Sequence, residues 1–131
     1  AGATDADGLT HVFPGPGCIA AASGLSGVGL PPARAETICR FAGAVDGGDV
    51  RFGGELDADA FRERLRRIRG IGQWTADYMA LRALGDPDAF PTADLGLLRA
   101  SGARTPAELA RRAEAWRPWR AYAAVHLWQQ G

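Results

Sequence analysis

The sequence predicts an all-α protein. Hydrophobic residues recur at helical spacing in one segment after another, proline and capping residues mark helix starts, and no segment alternates apolar and polar residues as a paired strand would. Residues 1–12 are polar and glycine-containing and are expected to be loose, with the ordered domain running over 13–131. A short helix is expected over 17–23. Pro31-Pro32-Ala33 opens a longer helix to about Val45, with Ile38, Phe41, Ala42 and Val45 on a common face. Between these two helices Gly27-Val28-Gly29 reads as a plain turn, since Arg34 alone brings positive charge near it. Residues 46–56 form a Gly/Asp-rich loop with no chemistry of its own.

Two amphipathic helices come next, over about 57–69 and 73–84. Phe61, Leu65 and Ile68 recur at i, i+4 and i+7 in the first, as do Trp74, Tyr78 and Leu81 in the second. The turn between them is Gly70-Ile71-Gly72, which makes a helix-hairpin-helix. Glycines there allow backbone to approach a ligand, and the amides of Gly72, Gln73 and Trp74 open the second helix at its positive end, where an anion fits. Gly-x-Gly between helices is also an ordinary sharp turn. The first helix, however, carries Arg62, Arg64, Arg66, Arg67 and Arg69 against Glu63 and ends at that turn. Together they suggest a sequence-independent grip on a DNA backbone through Arg69, Gly70, Gly72, Gln73 and Thr75. After the loop that ends at Asp94, a short helix is expected over 95–100. Thr105-Pro106-Ala107-Glu108 reads as a capping box for a helix to about Trp116, and the last helix runs from Trp119 to Gln130 beyond Arg117-Pro118.

Composition narrows the function. At 131 residues the chain is expected to be one domain, and without a long apolar run or a leader-like segment it is expected to be cytoplasmic, away from membranes. Its 15 basic residues, all arginine, balance 15 acids, but unevenly. Residues 1–60 hold three arginines against eight acids, a net −5, and residues 61–131 hold twelve against seven, a net +5. The basic half is the half with the hairpin. Cys18 and Cys39 fall in apolar patterns of separate segments and are expected to be reduced core residues; two cysteines cannot build a four-cysteine iron–sulfur cluster.

The hairpin from Ile68 to Tyr78, the stretch Asp86 to Asp94 (Asp-Pro-Asp-Ala-Phe-Pro-Thr-Ala-Asp), and Arg117-Pro118-Trp119-Arg120-Ala121-Tyr122 running into His126-Leu127-Trp128 resemble the helix-hairpin-helix DNA glycosylases, and among them the AlkA-type alkylpurine branch. The resemblance covers the chain from about Phe13 to its end. It implies base-excision repair: hydrolysis of the N-glycosidic bond of alkylated purines, of the 3-methyladenine type, in double-stranded DNA. It places the catalytic aspartate at Asp94 and base-pocket aromatics at Trp74, Tyr78 and Trp128. Trp116 and Trp119 are read as core, and His126 as structural. An aspartate before a short helix is also an ordinary N-cap, and the two roles can coexist. The family implies no cofactor and no metal ligands, with at most a monovalent cation at the hairpin carbonyls. Strand-cutting relatives carry a lysine where Trp74 stands here. This chain has no lysine, so a monofunctional enzyme is expected. Members of the family carry further segments ahead of the Phe13-Pro14 region, so the chain is expected to correspond to the C-terminal part of the domain, truncated at its N-terminal side, as a piece of a longer polypeptide or a shortened paralogue, and to be a monomer. The alternative from another class is a non-catalytic helix-hairpin-helix DNA-binding module, which would have no use for a carboxylate beside a phosphate.

Overall fold

The computed structural model describes residues 10–22, 25, 27–54 and 57–131. Residues 1–9 of the segment expected to be loose, and Ser23 at the end of the first expected helix, lie outside the described residues. Among the described residues the chain is helical, with no strand. It divides into two compact units, residues 1–49 and 50–131.

The first unit contains α1 (Pro16–Ala21) and α2 (Pro32–Asp46), each begun by a proline in its first turn. Proline suits that place because its missing N–H would have had no helical acceptor. The two helices pack together. Gly43 faces the Ala20 methyl at ordinary contact distance, and Ala35 and Ala42 are buried while Ile38, Phe41 and Val45 are half-buried. Cys18 is exposed and Cys39 half-buried. The expectation of two core cysteines therefore fails at Cys18, because α1 is short and buries no residue.

The second unit holds α3 (Ala58–Arg66), α4 (Gln73–Met79), α5 (Leu95–Ser101), α6 (Pro106–Ala113) and α7 (Arg120–Trp128). Asp57 caps α3 by accepting the Asp59 N–H at 3.0 Å. α6 starts as its sequence implies: Thr105 Oγ1 accepts the Glu108 N–H at 3.1 Å, while Glu108 reaches back to the Arg104 N–H at 3.0 Å. That is one residue ahead of the usual partner of a capping box. Beyond Met79, α4 widens into a π turn over Ala80–Leu84, where the amides of Gly85 and Asp86 both close on the Ala80 carbonyl. Gly85, at φ 73°, takes the left-handed conformation that ends the helix. α6 continues as a single tight turn, Glu114–Trp116.

Phe61 and Leu65 of α3, Ala76 and Ala80 of α4 and its extension, Leu97 of α5, Leu109 and Ala113 of α6, and Ala121 and Ala124 of α7 form the core. Fully burying each leucine contributes roughly 2 kcal/mol. Small residues on α4 and α7 let their neighbours approach closely: α3 packs on α4, and α5 on α6 and α7. One expectation fails here. Trp119 is 59% exposed, because it precedes α7 and lies off the Ala121 and Ala124 face that the helix buries, and it packs edge-on against Tyr122 instead. Trp116 is half-buried against Phe90.

Candidate nucleic-acid interface and carboxylate site

The hairpin turn separates two glycines by their physical needs. Gly70 has φ +100°, which only glycine adopts without strain. Gly72 has φ −94° and ψ −176°, an extended conformation open to any residue, and a Cβ built on it would meet nothing within 4 Å. The fold alone does not require glycine at position 72. The first hydrogen bond into α4 runs from Ala76 N–H to Gly72 O, and no side chain caps the helix. The amides of Gly72, Gln73, Trp74 and Thr75 therefore lie ahead of the helical ladder. Gly70, Gly72 and Gln73 are exposed, as is Arg69 at the end of the preceding turn; Thr75 is half-buried.

The arginine run before the hairpin does not act as one group. Arg64, Arg66, Arg67 and Arg69 are exposed, but Arg62 turns inward with its side chain 15% exposed. Its guanidinium reaches Asp59 at 3.0 Å, Asp77 at 3.1 Å and Asp86 at 2.6 Å. Counting Arg62 with the phosphate-facing charges is thereby corrected: it ties α3 to α4 and to the loop that begins at Asp86. Across the same polar cavity, of about 420 Å³, Asp88 accepts from Arg120 at 2.7 and 2.8 Å and from Arg117 at 3.0 Å. Those hydrogen bonds, chiefly that from Arg120, hold the Asp88 carboxyl below the usual aspartate range. Asp77 behaves in the opposite way. Burial pushes its carboxyl up, more strongly than Gln73, at 3.0 Å, and Arg62 pull it down.

Asp94 is the N-cap of α5, half-buried, with Oδ1 accepting the Leu97 N–H at 2.9 Å. Two indoles complete its environment: Trp128 Nε1 donates to Oδ1 at 2.9 Å and Trp74 Nε1 to Oδ2 at 2.7 Å. Burial acts to raise this carboxyl, but the donors from Trp128, Leu97, Trp74 and the Gly96 amide outweigh it and hold it below the usual range. Among the described residues no guanidinium pairs with it. Trp74 stacks on Tyr78, with centroids 5.1 Å apart and planes 16° off parallel, and Tyr78 meets Trp128 edge-on at 6.0 Å. The fold thus brings Trp74, Tyr78, Trp128 and Asp94, the residues that the resemblance singled out, into one cluster formed by α4, α7 and the start of α5. The outward stripe of α4 is aromatic, and its buried face is Ala76, Asp77, Ala80 and Leu81. Arg82 joins the cluster unannounced, its guanidinium 5.8 Å from the Tyr78 centroid and 5.6 Å from that of Trp128. Its position four residues after Tyr78 is the signal that could have found it. Among the described residues no group of His, Cys, Asp and Glu has the arrangement of a metal site.

No protein-family model matches the chain. Individual proteins do. Over 92% of its length the chain is 39% identical to a probable bifunctional transcriptional activator/DNA repair enzyme AlkA of Mycobacterium tuberculosis, and over 88% it is 37% identical to DNA-3-methyladenine glycosylase 2 of Escherichia coli. The chain is a homologue of part of the AlkA-type 3-methyladenine DNA glycosylases. It spans 25% of the first relative and 42% of the second. The Schizosaccharomyces pombe 3-methyladenine DNA glycosylase Mag1, solved with abasic DNA, superposes with a TM-score of 0.81 over 95% of this chain and 65% of its own, at 24% identity. A Bacillus halodurans DNA-3-methyladenine glycosidase superposes with a TM-score of 0.73 over 91% of this chain and 60% of its own, at 26% identity. The all-helical glycosylase fold that the resemblance implies is the fold found. No helix among the described residues is long and apolar enough to cross a membrane.

Proposed function

We propose that residues 13–131 form the C-terminal portion of a helix-hairpin-helix glycosylase domain that hydrolyses the N-glycosidic bond of alkylated purines, of the 3-methyladenine type, in duplex DNA. One observation carries this reading: Asp94 is an ionised carboxylate held by neutral donors, beside three aromatic rings, on the element that follows the hairpin. Cleavage passes through an oxocarbenium-like sugar, and a fixed anion near the anomeric carbon stabilises the charge that develops there. The alkylated base is already positively charged and leaves with the bonding pair as a neutral purine, so neither a strong general acid nor a cofactor is needed. Water adds to the sugar and loses a proton, leaving an abasic site.

Trp74, Tyr78 and Trp128 supply ring faces for a base rotated out of the stack. The exposed amides from Gly72 to Thr75, with Gly70 in the turn and Arg69 beside it, suit a backbone phosphate, and the bare Cα of Gly72 is then explained by the close approach of the DNA. The chain has no lysine, and Trp74 fills the hairpin position of the Schiff-base amine, so the product is an intact abasic strand. The test is to incubate the protein with methylated duplex, separate released bases by chromatography, and add borohydride in parallel. Released methylpurine, strand breaks that appear only after alkali and no trapped adduct are the expected results. Duplex binding without base release would leave a non-catalytic binding module, and a trapped adduct would overturn monofunctional chemistry.

A further inference from the structure

Trp74, Tyr78 and Arg82 lie four residues apart, one turn to the next, so Arg82 flanks Tyr78 on the side away from Trp74. Its guanidinium lies within about 6 Å of two ring centroids, the range of a cation–π contact. Among the described residues no carboxylate competes for it. The oxygens of Asp86, the nearest acid in sequence, are engaged by Arg62 and by the Asp88 amide, and those of Asp94 by the two indoles and the Leu97 amide. Arg82 also lies in the π turn, the irregular stretch of the helix, and such bulges recur at functional sites.

We infer that Arg82 is the resident cation of the aromatic cluster and sets its selectivity between positively charged and neutral bases. The inference rests on the glycosylase reading for its biological meaning. Ring faces attract cations through their quadrupole, so the faces suited to a cationic purine already hold a fixed positive charge. A neutral purine can stack beside a planar guanidinium. A cationic one has to displace it or bear like-charge repulsion. Arg82 therefore penalises cationic bases relative to neutral ones of the same shape.

Tryptophan fluorescence, with Trp74 and Trp128 as reporters, tests this without any base release. Wild type and Arg82→Met are titrated at neutral pH with 1-methyladenosine, a cation, and with adenosine, its neutral parent. Methionine keeps an unbranched helix-compatible stem and removes the charge. The expected result is tighter binding of 1-methyladenosine by about tenfold, with adenosine changed less than about twofold. Arg82→Lys should retain the wild-type preference, and Arg82→Gln repeats the measurement if circular dichroism shows that the methionine variant is unfolded. Equal changes for both nucleosides, no change, or no quenching by either nucleoside overturns the inference. Failure of the glycosylase reading is seen separately, as absence of released base from methylated duplex.

Discussion

Asp94 and the trio Asp77, Asp86 and Asp88 are carboxylates of one helical unit held in opposite ways. Each of the trio meets a guanidinium: Asp77 and Asp86 meet Arg62, and Asp88 meets Arg117 and Arg120. Asp94 meets indole N–H groups and backbone amides. A guanidinium orients a carboxylate and also neutralises it, which suits a joint between helices. Neutral donors orient it and leave its charge uncompensated. A carboxylate meant to stabilise a developing positive sugar needs that charge, and the difference between the two sites lies in the donors more than in exposure.

Substitutions at the two kinds of carboxylate should separate charge from architecture. The largest expected effect is in Asp94→Asn, which should slow base release by about 10³-fold, the scale of losing one preorganised electrostatic partner. Duplex affinity should be unchanged or slightly higher, since a negative charge near phosphates has been removed. Next is Arg62→Met, which strands Asp77 and Asp86 without their cation and should destabilise the fold by about 3 kcal/mol in urea denaturation. A cost under about 0.5 kcal/mol would mean that the Arg62 joint is solvated and unimportant.

A smaller effect is expected from the donors to Asp94. Trp128→Phe removes the indole N–H from Asp94 Oδ1, so the carboxyl rises toward the ordinary aspartate range. On the proposed reading, in which Asp94 acts as the anion, base release is lost as pH falls through its folded pKa. The acid limb should therefore move to higher pH in the variant, with little change in rate at neutral pH, where the carboxylate is ionised in both proteins. The same donors contribute stability that is present above the unfolded pKa and is lost as pH falls through the depressed folded one. An acid limb that stays in place would show that the indole does not act on Asp94.

The helices were legible because their signals are local. Pro32, Thr105 with Glu108, and the spacing of Phe61 and Leu65 each announce an element from within a few residues of it. The hairpin was legible for the same reason, whereas the grouping of Asp94 with Trp74, Tyr78 and Trp128 came from the resemblance alone. Long-range pairing was not legible. Arg62 looked like one more charge on a basic helix, and nothing in its neighbourhood shows that Asp86, 24 residues away, will claim it. Asp88 and Arg120 are 32 residues apart. Trp119 looked like a core tryptophan because hydrophobicity does not reveal that the residue precedes its helix and points off the buried face. Arg82 carried a usable signal in its spacing from Tyr78, but an arginine at the end of an aromatic stripe reads as a solvated boundary until its place beside the Tyr78 and Trp128 rings is seen.

On the proposed reading Asp94 works through an uncompensated charge while its arginine-paired neighbours hold the fold. The most direct measurement takes Asp94→Asn and Asp88→Asn side by side through single-turnover base release from methylated duplex and thermal unfolding. Asparagine caps helices as well as aspartate does, and its amide oxygen can keep the Leu97 and Trp128 bonds while the Trp74 N–H loses its acceptor, so Asp94→Asn should melt within about 8 °C of wild type while releasing base about 10³-fold more slowly. Asp88→Asn should melt lower and release base within about tenfold of wild type. Base release by a folded Asp94→Asn protein within about tenfold of wild type would contradict the claim.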